Sequence, residues 1–374
     1  MTGVPLEHSL PREAYVSAER FETEASEVLW QSWFCAGRSE SLPARGDYLT
    51  VDVMGESLLL VNTGENLVAH VNLCRHRGSR LVPPAGRLPP ASPGPTGRLE
   101  KQIRCPYHGW AYGLDGALRA APFLPEVREH RDCLSLHEVE VATWGGFVFV
   151  RLRRPEGPHP PSLVEALGGA DERLSNYGLS ELRVGHRIVY EVAANWKVIL
   201  ENYNECYHCG PVHPELCELV PAFRRGGAGL DWEAGIPHRE GAYSFTSSGT
   251  TERAPIPGLS EGERLRHKGE LVLPNLMLSC SSDHVAAFIL WPRSAGSTSL
   301  TCDFLFHPDE VARPSFDPSD AVELWDVVNR QDWWICEQVQ DGMGSRWFSF
   351  GYLSPMEQPS ADVGRYVTER LGRR

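Results

Sequence analysis

The sequence has no long apolar run, and its longest hydrophobic stretches, residues 145–150 and 285–291, have the length of single strands. A membrane-spanning helix needs about 18 or more consecutive apolar residues, so no membrane-embedded segment is expected. Residues 1–8 also lack the basic start and apolar core of a secretory signal. These absences predict a cytoplasmic protein that does not bind membranes.

Positive charge is also in deficit, because the formal net charge is -13 at pH 7. This balance argues against nucleic acid as a partner. It suits a cationic small-molecule substrate or a basic electron-transfer partner, although a general solubility charge explains it equally well. The 10 cysteines are too sparse in 374 residues for a disulfide scaffold, and clustered cysteines in a cytosolic protein more often bind metal.

The length and pattern of the chain predict two domains behind a short helical segment. Residues 11–39 have mixed helical character, whereas alternating apolar residues from residue 47 onward predict strands. Proline- and glycine-rich stretches predict an exposed loop at 83–97 and a linker at 153–162. The expected organisation is a helical segment at 1–40 that packs with the C-terminal domain, a β-rich domain at 41–155, and a C-terminal domain at 156–374.

Two short motifs, Cys74-x-His76 and Cys105-x-x-His108, have the ligand types and local spacing of a metal site. A Rieske 2Fe–2S cluster takes two thiolates on one iron and two imidazoles on the other. A structural zinc accepts the same four residues. The opening Cys-x-His is unlike the Cys-x2–4-Cys of most zinc fingers, and this favours the cluster.

A second candidate metal site lies in the C-terminal half. Residues 195–208 predict a helix that holds Glu205 and His208 on one face, and the Gly210-Pro211 break lets His213 turn back toward His208. Two histidines with one carboxylate form the facial triad of non-haem iron(II) oxygenases. Spacing alone does not choose the carboxylate among the candidates on the last long helix, which are Asp326, Asp332, Glu337 and Asp341.

The first motifs, with the Arg77-Gly78 and Gly109-Trp110 that follow them, resemble the Rieske signature of ring-hydroxylating oxygenases. With the second site in the same order, nearly the whole chain resembles the α subunit of a Rieske non-haem iron oxygenase. The resemblance implies an α+β fold, with a β-rich Rieske 2Fe–2S domain and a helix-covered antiparallel-sheet catalytic domain of helix-grip (START-like) type.

The same resemblance assigns roles to individual residues. It selects Asp332 as the iron ligand that joins His208 and His213, because the family's aspartate lies a few residues before a glutamate on this helix. It makes Glu205 the electron-transfer bridge, with His108 as its partner on the cluster side. It also implies a homotrimer in which the cluster of one subunit faces the iron of the next.

Glu205 stands where many relatives carry aspartate, and residues 202–209 and 351–357 resemble a subgroup that acts on quaternary ammonium compounds. Glycine betaine, stachydrine and carnitine oxygenases belong to this subgroup. The implied reaction is hydroxylation of an N-methyl group, followed by loss of formaldehyde. Aromatic cages bind such cations, and the candidate pocket residues are Asn202, Trp232, Tyr243, Phe245, Phe288, Trp291 and Trp333.

The implied cofactors are the Rieske 2Fe–2S cluster and a mononuclear Fe(II), with O2 as co-substrate and NAD(P)H acting through a separate flavin/iron–sulfur reductase. Two other functions remain open at this point. One is ring hydroxylation or O-demethylation of an aromatic or natural-product substrate. The other is an electron carrier in which a Rieske domain is fused to a non-catalytic binding domain.

Overall fold

The computed structural model describes residues 7–83, 96–153, 161–227 and 229–372. Most of the loop predicted at 83–97, and residues 154–160 of the predicted linker, lie outside the described residues. Among the residues that are described, no helix combines the length and the apolar character needed to cross a membrane.

Strands dominate the middle of the chain and then alternate with helices. In chain order the strands are β1 Glu7–His8, β2 Phe34–Arg38, β3 Asp47–Val53, β4 Glu56–Asn62, β5 Leu67–Val71, β6 Thr96–Arg98, β7 Gln102–Arg104, β8 Ala111–Gly113, β9 Leu118–Ala120, β10 Glu138–Trp144, β11 Phe147–Arg151, β12 Arg183–Val192, β13 Ile236–Pro237, β14 Arg266–Val272, β15 Leu276–Cys280, β16 His284–Ser294, β17 Ser297–Phe306 and β18 Tyr352–Leu353.

Most helices are short, and the longest is near the C-terminus. They are α1 Glu13–Val16, α2 Ala18–Glu24, α3 Leu163–Leu167, α4 Ala170–Arg173, α5 Trp196–Tyr203, α6 Cys209–Val212, α7 Pro214–Leu219, α8 Pro308–Val311, α9 Ser319–Met343 and α10 Gln358–Leu371. A π-helical turn at Ala25–Leu29 continues α2. Single 3-10 turns occur at Ser39–Ser41, Pro125–His130, Asp132–Leu134, Ser175–Tyr177, Pro221–Arg225, Glu263–Leu265 and Pro355–Glu357.

The chain forms two compact units, and the sequence of one unit interrupts the sequence of the other. The inserted unit is Trp30–Pro160, and the outer unit combines Met1–Leu29 with Pro161–Arg374. Strand β2 pairs with β11, so the inserted unit begins before the boundary at residue 41 that the sequence predicted. The helical pattern assigned to residues 11–39 is therefore wrong for its last part, which is a strand.

The inserted unit is built on antiparallel strands. One sheet has the order β2-β11-β10-β5-β4-β3-β6, and a smaller sheet has the order β7-β8-β9. The strands predicted from residue 47 onward pair as neighbours, since Leu49 lies opposite Leu60 between β3 and β4. The buried core of this unit includes both motif cysteines, Cys74 and Cys105, so the fold places the candidate thiolate ligands away from solvent.

The outer unit is built on an antiparallel sheet with the order β12-β17-β16-β15-β14-β13. The first seven residues of β16 are all buried, as expected for a strand covered on both faces. The long helix α9 contacts α5, α6, α7 and β12. This arrangement is the helix-covered antiparallel sheet that the sequence implied.

The N-terminal helices belong to the outer unit through buried polar contacts with α5. Lys197 Nζ lies 2.5 Å from Glu24 Oε2, and both side chains are almost completely buried. The Tyr15 hydroxyl donates to Glu201 Oε1 at 2.8 Å. Removal of one partner from such an ion pair strongly destabilises the folded protein, because the other charge stays buried without compensation.

Helix α5 begins as the sequence predicts and ends earlier. The Asn195 side chain accepts from the backbone N–H of Lys197 and so caps the start of the helix. The helix stops at Tyr203, so Glu205 and His208 lie in the turn that follows rather than on one helical face. Gly210 and Pro211, which were expected to break the helix, form part of the separate helix α6.

Candidate metal centres and substrate cavity

The two cysteine–histidine motifs form matching turns. The backbone N–H of Gly78 donates to Cys74 O at 3.0 Å, and that of Gly109 donates to Cys105 O at 3.1 Å. Both glycines have φ of 73°, a left-handed conformation that costs glycine little and other residues more. The glycine after each motif therefore closes a turn that presents its cysteine and histidine together.

Burial divides the four candidate ligands into two pairs. Cys74 and Cys105 are each only 2% exposed, whereas His76 and His108 are exposed in the isolated chain. The two imidazoles are neighbours, with ring centroids 4.8 Å apart, and Trp110 stacks on His76. Two thiols inside and two imidazoles outside are the donor set that a Rieske cluster requires, so these residues fit it.

One buried phenol contacts this site. The Tyr112 hydroxyl lies 3.3 Å from Cys74 Sγ and accepts from the backbone N–H of Arg75 at 3.1 Å. Burial raises the pKa of the Cys74 thiol, against the hydrogen bond from Tyr112, which lowers it. Hydrogen bonds to cluster sulfurs are one of the factors that set reduction potential, so the position of Tyr112 predicts an effect on the potential of a cluster bound here.

The second candidate centre brings together three residues from three segments. The ligand atoms of His208, His213 and Asp332 all lie within 4.8 Å of one another. Asp332 Oδ1 is 3.3 Å from His208 Nε2 and 2.9 Å from His213 Nε2. Two imidazoles and one carboxylate are the donors of the facial triad.

The other nitrogen of each imidazole is already occupied. His208 Nδ1 donates to Glu205 Oε1 at 2.5 Å, and His213 Nδ1 donates to Gln331 Oε1 at 2.8 Å. Such outer contacts fix the tautomer and ring orientation of metal-binding histidines. Both Nε2 atoms are thereby left for one shared ion, and the residues fit a mononuclear iron.

In the protein without iron, the electrostatic environment of this centre favours a bound proton. Burial would lower the pKa of His208, but the hydrogen bonds to Asp332 and Glu205 outweigh it and raise that pKa to about 11. Burial likewise opposes ionisation of Asp332, yet the hydrogen bonds from His208 and His213 lower its pKa. A divalent ion replaces this proton as the positive charge between the three side chains.

The structure separates Asp332 from the other carboxylates considered on α9. Asp326 accepts from the Tyr190 hydroxyl at 2.8 Å, and Glu337 accepts from the backbone N–H of Ala193 at 3.0 Å. Asp332 is the carboxylate that contacts both histidines. The choice that spacing left open is thus made by tertiary contacts.

A cavity of about 490 Å³ lies beside the three-residue centre. Glu205, His208, His213 and Asp332 are in its wall together with Arg173 from α4, Leu216 from α7, Glu270 from β14 and Trp325 from α9. Phe245 stacks on Trp325 with ring centroids 4.3 Å apart. This volume is within the usual range for small-molecule sites.

Comparisons with known proteins agree with both halves of this geometry. Residues 32–131 match the Rieske 2Fe-2S domain, and residues 179–373 match the ring hydroxylating alpha subunit (catalytic domain), more than half of the chain. The chain belongs to the ring hydroxylating alpha subunit family. It is the oxygenase subunit of a Rieske non-haem iron oxygenase.

Two monooxygenase oxygenase subunits and one crystal structure illustrate what this oxygenase subunit is similar to. The glycine betaine monooxygenase oxygenase subunit of Pseudomonas aeruginosa is 30% identical, over 90% of this chain and 82% of the relative. The carnitine monooxygenase oxygenase subunit of Acinetobacter baumannii is 28% identical, over 90% of this chain and 86% of the relative. A crystal structure of the quaternary ammonium Rieske monooxygenase CntA with an inhibitor is 25% identical, with a TM-score of 0.76 over 98% of this chain and 96% of CntA.

The cavity of the oxygenase subunit contains only some of the predicted pocket residues. Asn202, Trp232 and Phe245 are in its wall, and Asn202 Nδ2 lies 3.3 Å from His208 Nε2. The remaining four candidates are outside the wall, so their prediction as pocket residues is corrected: these are Tyr243, Phe288, Trp291 and Trp333.

The four excluded aromatics have other contacts. The Tyr243 hydroxyl donates to Thr251 O at 2.7 Å, and Trp291 Nε1 donates to Thr301 Oγ1 at 3.2 Å. Phe288 packs against Trp325 from the side of the sheet, and Trp333 packs against Tyr190. Aromatic composition alone could not distinguish these structural positions from the cavity wall.

Several cavity residues were missed at the level of sequence. Trp325 and Val328 precede Asp332 on α9 by seven and four residues, a spacing that places all three on one helical face. That periodicity was a usable signal. For Phe223, Arg173 and His267, which come from distant segments, no local pattern pointed to the cavity.

The cavity wall is acidic overall. Arg173 is the only Arg or Lys side chain among the lining residues that are described, and it makes a two-point ion pair with Glu270 at 2.8 and 2.6 Å. Glu205, Glu233, Asp332 and Asp362 also line the cavity. Even with iron bound to the triad, this distribution favours a cationic ligand over an anionic one.

Proposed function

We propose that this oxygenase subunit removes an N-methyl group from a quaternary ammonium substrate. The observation that carries the proposal is the cavity beside the triad, whose wall combines stacked aromatic rings with an excess of carboxylates. Aromatic faces attract quaternary ammonium ions through cation–π contacts. The printed functions of the relatives, glycine betaine and carnitine monooxygenation, point to the same substrate class.

The overall reaction balances as a monooxygenation. A methyl group on nitrogen, O2, two electrons and two protons give a hydroxymethyl group and water. The hydroxymethyl group then loses its hydroxyl proton as its C–N bond breaks, which releases formaldehyde and a tertiary amine with both C–N bonding electrons on nitrogen. The electrons come from a separate reductase, which we propose to be an NAD(P)H-dependent flavin/iron–sulfur protein.

In this proposal His208, His213 and Asp332 hold the catalytic iron, and iron supplies the capacity to activate O2 when it is bound. Glu205 and Gln331 hold the two imidazoles by their Nδ1 atoms, so the Nε2 atoms keep their directions through turnover. Asn202 is placed beside His208 Nε2. The aromatic rings hold the cationic nitrogen and exclude water from the reacting methyl group.

Cys74, His76, Cys105 and His108 hold the 2Fe–2S cluster in the same proposal. The buried cysteines and exposed histidines give the site one face through which electrons can pass to another group. We propose a homotrimer in which Glu205 of one copy accepts a hydrogen bond from His108 of the next. Glu205 already bonds His208 with one oxygen, and a second bond would join the two imidazoles through one side chain.

The test is a formaldehyde assay with the iron-loaded protein, a suitable reductase and O2. The substrate panel contains glycine betaine, stachydrine, carnitine, choline and one methoxyarene. Formaldehyde and the matching tertiary amine from at least one quaternary ammonium compound support the proposal. If only the methoxyarene yields formaldehyde, the activity is O-demethylation and not N-demethylation. If no substrate changes the rate of O2 uptake, both activities are ruled out.

A further inference from the structure

The cavity contains a histidine that the proposed mechanism does not use. His267 on β14 lies in the cavity wall and is only 7% exposed. Its Nδ1 atom is enclosed and has no hydrogen-bond partner among the described residues. A buried polar atom of this kind is uncommon, since buried polar groups are nearly always hydrogen-bonded.

The surroundings keep this imidazole neutral. Burial, together with the neighbouring His238 and His284, lowers the pKa of His267 to about 3. Its ring lies 4.7 Å from that of Phe245 and 6.1 Å from that of Trp325. A neutral ring beside this stacked aromatic pair does not repel a cationic substrate, and it keeps one N–H donor.

His267 lies near a residue that is about two helical turns before Asp332 on α9. Its neighbour Trp325 precedes Asp332 by seven residues on α9, so their Cα atoms are about 10 Å apart along the helix axis. With Nδ1 enclosed, Nε2 is the nitrogen that can meet a ligand. The cavity therefore offers one end for iron chemistry and a hydrogen-bonding nitrogen toward the other.

The size of the cavity agrees with a substrate that reaches both ends. Liquid water occupies about 30 Å³ per molecule, so 490 Å³ corresponds to roughly sixteen water-sized groups. Glycine betaine has about eight heavy atoms, roughly half of that number. Its methyl carbon and carboxylate oxygen are joined by about four bonds of roughly 1.5 Å and span only about 5 Å.

We infer that His267 forms a subsite for the tail of the substrate, which takes a terminal oxygen acceptor of a trimethylammonium compound longer than glycine betaine. This inference rests on the proposed function and adds a chain length and a recognition residue to it. Arg173 is a poorer receptor for the tail, because two of its N–H groups already bond Glu270 and a third bonds Gly168 O.

The test is calorimetric binding of trimethylammonium carboxylates with one, three and five methylene groups to the iron-loaded protein. The variants are His267→Leu, His267→Gln, which restores a donor near the position of Nε2, and His238→Leu as a matched control. His238 is also a buried neutral imidazole, with its pKa lowered to about 4 by burial, but it is outside the cavity wall. Hexyltrimethylammonium, which has no oxygen, reports the apolar contribution of chain length.

In the unmodified protein we expect the longer carboxylates to bind about tenfold more tightly than glycine betaine, the effect of one hydrogen bond to a charged acceptor. His267→Leu removes this advantage, His267→Gln restores part of it, and His238→Leu leaves it unchanged. Equal affinities along the series, a length advantage that survives in His267→Leu, or an equal gain with hexyltrimethylammonium overturns the inference. Failure of every carboxylate to bind overturns it too.

Formaldehyde release is measured in parallel to keep the two claims apart. Demethylation without a length dependence in binding overturns the His267 subsite and leaves the proposed function in place. Length-dependent binding that His267→Leu abolishes, without formaldehyde from any member, supports the subsite and overturns the proposed function.

Discussion

The two candidate metal centres are built in opposite ways. The cluster ligands come from two short motifs closed by equivalent glycine turns, with the cysteines buried and the histidines exposed. The iron ligands come from the α5–α6 turn, the end of α6 and the middle of α9, and they are oriented by side chains from elsewhere. The first site is encoded locally, whereas the second exists only when the outer unit is folded.

The largest effect is expected from variants that remove a metal ligand from one centre only. Asp332→Asn and His208→Ala should lose the mononuclear iron and reduce turnover below detection, because the triad cannot close. The visible spectrum of the cluster should persist, since its ligands lie in the inserted unit. Iron analysis and absorption spectra check this result.

Glu337→Gln is the matched control, because Glu337 is also an α9 carboxylate but bonds a backbone N–H. It should keep the mononuclear iron. Loss of cluster colour in His208→Ala, or loss of the mononuclear iron in Glu337→Gln, would contradict the division between the two centres.

A smaller effect is expected where the two centres are proposed to communicate. Glu205→Gln keeps an oxygen that can accept from His208 Nδ1 but loses the negative charge. Both metals should remain bound, and turnover should fall about 10- to 100-fold, the usual effect of replacing a residue that orients a metal ligand. Single-turnover oxidation of the reduced cluster measures the step directly, and an unchanged rate would count against the bridge.

Acid stability should depend on two buried histidines of the outer unit. The pKa values of His267 and His238 are lowered by burial to about 3 and about 4, against about 6.5 when unfolded. Below pH 6.5 the unfolded chain binds more protons than the folded protein. Their contribution to stability is therefore complete above pH 6.5 and is lost as the pH falls toward 4.

The expected loss is on the order of 1 kcal/mol per pH unit for each histidine. Urea unfolding of the unmodified protein and of the His238→Leu/His267→Leu double variant, between pH 7 and pH 5, gives the difference in slope. Glu201, with its pKa raised to about 8 mainly by burial, contributes with opposite sign in both proteins and cancels. Parallel slopes would show that these imidazoles become protonated in the folded state.

The smallest predicted effect concerns the cluster alone. Tyr112→Phe removes the hydroxyl beside Cys74 Sγ and with it a hydrogen bond that favours the reduced, more negative cluster. A hydrogen bond of about 1 kcal/mol corresponds to about 40 mV for one electron. The reduction potential should fall by this amount without loss of iron, and redox titration checks it.

Features that depend on contacts between nearby residues could be predicted from the sequence, whereas features that depend on distant contacts could not. The cysteine–histidine motifs, the start of the helix at residue 195 and the alternating strands depend on neighbours within a few residues, and they could be predicted. The end of α5 at Tyr203 was not, because the helical pattern continues beyond it. The choice of Asp332 came from family resemblance, and the pocket aromatics could not be chosen because cavity and core positions have the same composition.

The buried pair Lys197–Glu24 has a consequence for how the protein forms on the ribosome. The inserted unit has its whole sequence available once residue 160 has emerged, so it can complete its fold as synthesis continues. Residues 13–29 must wait for α5, whose Lys197 and Glu201 are their partners. Until α5 has been synthesised, Glu24 and Tyr15 lack these two partners. The N-terminal helices of the growing chain can therefore complete their packing only late in translation.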